Sequence, residues 1–188
     1  MADSKISALS GVSSVAGAEE FPCNNAGATE KATGTQLSQY VETRLQQGVL
    51  CSLSGAQSIT TSTWTDIEWG AEVWKVGDTA IHSTSSNSER LTAQIAGEYL
   101  PTGTIQFDGE ATDFIVGVRL YKNGSTQMAR IFSRSLENAS WGVTIAVPPV
   151  PVQLSATDYI TCQVWHNLGS GYDVTAATSR FGMYLLGR

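Results

Sequence analysis

From about residue 49 to the end of the chain, apolar side chains recur at every second position. In "TDFIVGVRLY" Phe114, Val116, Val118 and Leu120 share one side, and in "WGVTIAV" Trp141, Val143, Ile145 and Val147 do the same. In "RFGMYLL" Phe181, Met183 and Leu185 oppose Tyr184 and Leu186. A period of two marks half-buried antiparallel strands. Between the runs stand turn-forming clusters: Ser83 to Ser88, Pro101-Thr102-Gly103, Asp108-Gly109, Asn123-Gly124, Pro148-Pro149 and Gly169-Ser170-Gly171. Short strands punctuated this regularly predict a sandwich or barrel. The stretch "YKNGS" at 121 to 125 predicts a hairpin with a type I′ turn, because Asn and Gly best tolerate positive φ at both central positions.

Before residue 49 the pattern changes. Thr33 and Gln36 stand in capping-box relation. Leu37, Tyr40, Val41 and Leu45 then form one apolar stripe at helical spacing, with Gly48 as a stop signal. Residues 33–48 therefore read as a short amphipathic helix and linker. Residues 1–32 are dominated by Ala, Gly, Ser and Thr, with Ile6, Leu9, Val12, Val15 and Phe21 as a sparse apolar series. Such a segment buries little by itself, so it offsets little of its ordering entropy until it lies on something else. It reads as an extended N-terminal arm, followed by the helix and an all-β domain over 49–188.

Charge and chemistry narrow the function. Across 188 residues, 11 basic and 17 acidic side chains leave a net charge of −6, with Arg119, Arg130 and Arg134 scattered among strands. No nucleic-acid partner is expected, since phosphate binding needs concentrated positive charge. Cys23, Cys51 and Cys162 are widely spaced, with only His82 and His166 as companions, and read as reduced thiols without a metal. Within "YITCQVW" Cys162 shares the core face with Ile160 and Val164. No run approaches the roughly 20 apolar residues of a membrane span. The serines of "KISALSGVSSVAGA" and Asp3 speak against a secretion signal.

Asp66, Glu68 and Glu72 lie near Trp64, Trp69 and Trp74, which raises a carbohydrate cleft with two working carboxylates. Alternation instead places Asp66 and Glu68 on a solvated face opposite Ile67 and Trp69; sugar binding on an exposed Trp is the milder alternative. His82 sits in the polar "HSTSSNSE", no G-x-S-x-G elbow supplies a nucleophile, and His166 reads as a loop or interface residue. No phosphate-binding loop, dinucleotide fingerprint or calcium loop occurs. No catalytic residue, cofactor or metal is expected, and the chain reads as a non-enzyme.

Two resemblances add to this. The run from Ser62 to Gly109, with Trp64-Thr65, Arg90-Leu91-Thr92 and Ala96-Gly97-Glu98-Tyr99, then "LYKNG" and the final "FGMYLLGR", resembles the C1q and tumour-necrosis-factor-like jelly roll over roughly residues 58 to 188. That family forms trimers around a tightly packed axis, often through aromatic residues. Tyr159, Trp165 and Tyr184 face away from the core sets Ile160/Cys162/Val164 and Met183/Leu185. The resemblance therefore implies a homotrimer with these three at its interface.

The first part, with Lys5-Ile6-Ser7-Ala8-Leu9 and Thr33-Gly34-Thr35-Gln36-Leu37, resembles an N-terminal module of tailed-bacteriophage structural proteins. Together they imply a virion protein made in the host cytoplasm: a trimeric capsid decoration, or cement, protein on the outer capsid surface. The arm residues Ile6, Leu9, Val12, Val15 and Phe21 would dock on the major capsid protein. Extended, the first 33 residues reach about 110 Å at about 3.3 Å each. The alternative is a tail-fibre, head-fibre or baseplate component whose roll is a receptor-binding knob, and a host surface glycan stays open as a further partner. No shaft-like repeat stands between helix and roll. A secreted cellular C1q-like protein is the third class, disfavoured by the serine-broken leader and the free cysteines.

Overall fold

A computed structural model describes residues 20–25, 28–33, 46–77, 79–108, 113–135, 142–169 and 171–187. The chain divides into two compact units, Met1–Arg44 and Leu45–Arg188. In the first, strands β1 (Glu20–Asn25) and β2 (Ala28–Thr33) pair antiparallel, with Phe21 opposite Ala32. Ile6, Leu9, Val12 and Val15 of the expected arm, and the helix stripe Leu37, Tyr40, Val41 and Leu45, lie outside the described residues.

The second unit is built from β3 (Gly48–Ser52), β4 (Gln57–Ile59), β5 (Thr65–Asp66), β6 (Ala71–Val76), β7 (Arg90–Thr92), β8 (Gly97–Asp108), β9 (Phe114–Lys122) and β10 (Thr126–Ser135). It continues with β11 (Val143–Val147), β12 (Val152–Leu154), β13 (Tyr159–His166), β14 (Tyr172–Val174) and β15 (Arg180–Gly187). A 3-10 turn, Thr79–Ile81, precedes β7. All the pairings are antiparallel. One sheet runs β10-β9-β13, with β5 and β7 both on the far edge of β13; the other runs β4-β14-β8-β15-β3-β6, with β11 and β12 along the opposite edge of β8.

The core forms where the two sheets face each other. Val49, Cys51, Ile105, Phe107, Phe181 and Met183 come from the eight-stranded sheet, and Val116, Val118, Leu120, Ile160, Cys162 and Val164 from the five-stranded one, all fully buried. These are the alternate positions of the sequence pattern, and fully burying each large apolar side chain contributes about 1.5 to 3 kcal/mol. Cys51 and Cys162 are free and buried. Burial pushes the Cys51 thiol up to about 12 and raises that of Cys162 as well. Asn123 (φ 52°) and Gly124 (φ 65°) adopt the positive φ pair that the hairpin turn requires.

One expected turn is absent. Pro101-Thr102-Gly103 lies in the middle of the twelve-residue strand β8. Proline is tolerated there because the ladder on one edge of β8 is interrupted: β12 pairs with Gly97 to Tyr99 and β11 with Gly103 to Phe107. The glycine answers to a close approach instead, since a Cβ on Gly103 would stand 2.2 Å from the Arg180 carbonyl oxygen of β15.

Candidate functional site

The acidic and histidine candidates resolve into structural roles. Ile67 and Trp69 are fully buried and Glu68 is exposed, as alternation predicts, while Asp66 is half-buried. Glu72 bonds Lys75 Nζ at 2.6 Å and His82 Nδ1 at 3.1 Å. Burial alone would raise its carboxyl, but the bonds from Lys75 and His82 outweigh that and hold it below the usual range. The His82 ring is buried rather than part of an exposed loop, and its Nε2 faces the Ser88 carbonyl oxygen at 3.2 Å. The two ring nitrogens thus each face a protein oxygen, and open clefts lined by Glu72, Lys75, His82, Ser83 and Arg90 flank the ring.

His166 is a core residue, not a loop or interface one. Its Nε2 donates to the Ile59 carbonyl oxygen at 2.9 Å and its Nδ1 accepts from the Leu168 N–H at 3.2 Å, which defines a neutral, satisfied ring. Strand pairing draws it inward because it continues the Ile160, Cys162, Val164 alternation. Among the described residues no group of three or more His, Cys, Asp and Glu side chains gathers as a metal site, and no helix is long and apolar enough to cross a membrane.

The three aromatic residues expected at one interface belong to two different faces. Tyr184 lies on the outward face of the eight-stranded sheet. Register sets Val76, Gly48, Tyr184 and Leu100 in one row across β6, β3, β15 and β8, and Trp74, Leu50, Gly182 and Thr102 in the next. The Trp74 and Tyr184 rings meet 5.5 Å apart over Gly48, where a Cβ would come within 2.9 Å of Trp74 Cζ3 and 3.0 Å of Tyr184 Cδ1. Trp74 is 43% exposed and Tyr184 half-buried. These two rows carry no charge.

Trp165 and Tyr159 lie on the outward face of the other sheet. There register sets three rows across the strands: Trp165, Gly117 and Phe132, with the Trp64 ring beside Trp165; then Asp66, Gln163, Arg119 and Arg130; then Arg90, Thr161, Tyr121 and Gln127. The first row is an aromatic cluster, with Trp64, Trp165 and Phe132 centroids 5.8 to 6.3 Å apart. Gly117 makes room for it, since a Cβ there would stand 2.6 Å from Phe132 Cε1 and 2.9 Å from Trp64 Cη2. In the second row the Arg119 guanidinium lies over Trp64 at 4.3 Å and Tyr121 at 4.6 Å, and its Nε donates to Gln163 Oε1 at 2.7 Å. Burial lowers the Arg119 pKa, with Arg130 adding to that and Tyr121 and Asp66 opposing it. Arg130 stacks on Phe132 at 5.2 Å. Arg90 covers the Tyr159 ring at 4.3 Å and pairs with Glu89, and Arg134 pairs with Asp113.

Sequence reasoning missed this second constellation. Arg119, Arg130 and Arg134 are separated along the chain, yet pairing of β9 with β10 gathers them on one face. Its one local signal was Gly117 inside an otherwise large-residue strand, a mark of close side-chain approach.

The sequence matches no protein-family model and no curated protein. Solved structures do share the fold. Murine APRIL at pH 5.0 aligns with a TM-score of 0.56 and 14% identity over 75% of this chain and 99% of that one. Murine APRIL at pH 8.0 gives 0.53 and 14% over the same shares. Eiger TNF from S. frugiperda gives 0.51 and 14%, covering 76% of this chain and 92% of that one. At such identity the likeness concerns fold alone: the second unit is a TNF-like jelly-roll sandwich, as its resemblance implied.

Proposed function

We propose that this chain is a virion structural protein, a homotrimeric decoration protein of the outer capsid surface that binds the major capsid protein through its N-terminal segment and stabilises the shell. The observation that carries the trimer is the pair of uncharged rows around Tyr184, Trp74, Leu50 and Leu100, bordered on the same outward face by Arg180 and Glu98. A threefold axis brings three copies of each residue together. Apolar rings closing over Gly48 suit that; the arginine-bearing face around Trp165 does not, because it would gather like charges without partners. Tyr184 is thus assigned to the trimer interface, and Trp165 and Tyr159 stay outside it.

Capsid attachment rests on the resemblance of the N-terminal segment to tailed-bacteriophage structural modules, with Ile6, Leu9, Val12, Val15 and Phe21 as the docking residues. Its mechanism is linkage: a protein that binds only the assembled shell adds its binding free energy to shell stability, and three arms raise the effective concentration of each contact. The test is copy number in purified particles, paired with a chain beginning at Thr33. Abundance comparable with the major capsid protein, lost on truncation, supports decoration; full occupancy without residues 1–32 rejects the arm. The second reading, a tail-fibre, head-fibre or baseplate component with a receptor-binding knob, is favoured by the aromatic and arginine rows, and a few copies per particle would establish it.

A further inference from the structure

We propose that the outward face of the five-stranded sheet binds a carboxylated sugar, whose ring packs on the exposed Phe132 ring beside Trp165 while its carboxylate bridges Arg119 and Arg130. The site lies within one copy of the chain, so the inference holds under either functional reading.

Three observations point to it. Arg119 and Arg130 are direct cross-strand partners, an arrangement that is destabilising when like charges oppose each other on a sheet. Among the described residues neither forms an ion pair, whereas Arg90 and Arg134 on the same face pair with Glu89 and Asp113. An anion held between the two guanidinium groups removes that repulsion and gains charge-assisted, fork-like hydrogen bonds. Arg119 is already oriented for it: stacking on Trp64 and Tyr121 and the bond to Gln163 fix its plane, and its terminal nitrogens make no hydrogen bond to the protein among the described residues.

The second observation is the aromatic row beside the arginines. Trp64, Trp165 and Phe132 form an open platform rather than a deep slot, in which Phe132 is 46% exposed and stands edge-on to Trp165 at 85°. The C–H face of a pyranose ring is apolar and matches such a platform, while its edge carries polar groups. An inorganic anion would leave these rings unused.

The third is position. The rows cross the sheet: on β9 and β13 the main-chain groups are committed to ladders on both sides, and at the arginines only the outer edge of β10 is open. An acidic peptide, which gains much of its affinity from main-chain bonds at a sheet edge, finds few partners here; a sugar needs none. Asp66, at the far end of the arginine row, gives the site direction, turning the acid toward Arg119 and Arg130 and hydroxyl groups toward itself.

The test uses the full chain on a printed panel of sialylated and uronate-bearing oligosaccharides, each beside its uncharged counterpart, with polyglutamate as competitor. Retention of carboxylated members and not their neutral counterparts is expected. Arg130→Gln, at an exposed side chain without an ion pair, should weaken binding about tenfold, one charge-assisted contact, with unchanged sedimentation and a melting temperature no lower than that of the parent chain, since the repulsion from Arg119 is relieved. Arg134→Gln on the same face should change it little. Retention of no carboxylated glycan, equal retention of the neutral ones, or wild-type affinity in Arg130→Gln overturns the proposal. Polyglutamate binding at this face with no glycan retained overturns it in favour of an acidic peptide. Glycan binding by a chain absent from particles would leave this site standing and remove the decoration reading.

Discussion

The two outward faces of the sandwich use the same device for opposite ends. Each has a glycine in a middle strand, Gly48 on β3 and Gly117 on β9, with aromatic rings closing over it. Over Gly48 the rings of Trp74 and Tyr184 continue into Leu50 and Leu100, and the rows are uncharged. Over Gly117 the rings of Trp64, Trp165 and Phe132 border arginines. A flat apolar surface gains by excluding water against another flat surface. A mixed surface of rings and unpaired guanidinium groups gains by meeting something that is itself part apolar and part anionic. Aromatic residues on a second strand face thus do not identify an interface by themselves; the charges in the neighbouring row decide what can cover them.

The largest expected effect separates the faces by charge insertion. Tyr184→Asp should convert the trimer to monomer in sedimentation, since an unpartnered charge in a buried interface costs about 3 kcal/mol or more. Trp165→Asp should leave the trimer intact and abolish sugar retention. If Trp165→Asp dissociates the trimer and Tyr184→Asp does not, the faces are assigned the wrong way round.

Filling the glycines is the next test. Gly48→Ala places a methyl group against Trp74, Tyr184 and the Met183 carbonyl oxygen, 3.2 Å away, and backbone gives little. A loss of about 1 to 3 kcal/mol in denaturant unfolding is expected, with weakened assembly. Gly117→Ala meets only side chains, two of its three nearest atoms belonging to exposed Phe132. It should cost less, about 1 kcal/mol, while disturbing the platform and its ligand. Equal losses at the two sites would mean that Phe132 cannot swing aside.

Salt gives a smaller difference. Raising ionic strength from about 0.1 M to about 1 M shortens the Debye length from about 10 Å to about 3 Å. Sugar retention should fall severalfold while trimer sedimentation is unchanged, because one contact is ionic and the other apolar.

The smallest effect is on acid stability, at the turns bordering the charged face. Asp158 accepts from Lys122 Nζ, Asn123 Nδ2 and the Ser155 N–H, each at 2.8 Å, and these bonds hold its carboxyl at about 2 against an ordinary 3.8. A lowered folded-state value means that the stabilisation is complete above 3.8 and disappears as pH falls toward 2. Hydrogen exchange around Asn123 and Ser155 should accelerate across that window, with β3 and β15 following only on global unfolding. Asp158→Asn should remove the pH dependence, and an unchanged profile in that variant would exclude the carboxylate as its origin.

How much of this was legible along the chain depends on the range of the interactions involved. Alternation of Phe114, Val116, Val118 and Leu120, the core placement of Cys162 and the φ-positive pair Asn123-Gly124 follow from a residue and its near neighbours, and the sequence by itself determined them. Partners distant in sequence decided the rest. Pro101-Thr102-Gly103 has the composition of a turn, yet β15 on one side and the gap between β11 and β12 on the other keep it in a strand. His82 and His166 have polar neighbours in sequence, yet Glu72, Ser88 and Ile59 engage their rings in the interior. Tyr184 and Trp165 both alternate away from the core, but only the assignment of β15 and β13 to different sheets sends them to opposite outward faces. Arg119 and Arg130 become neighbours only when β9 pairs with β10 in one register, and a slip of one residue would turn one of them to the other face. Alternation defines a face for each strand; tertiary pairing determines which faces join, and so which side chains act together.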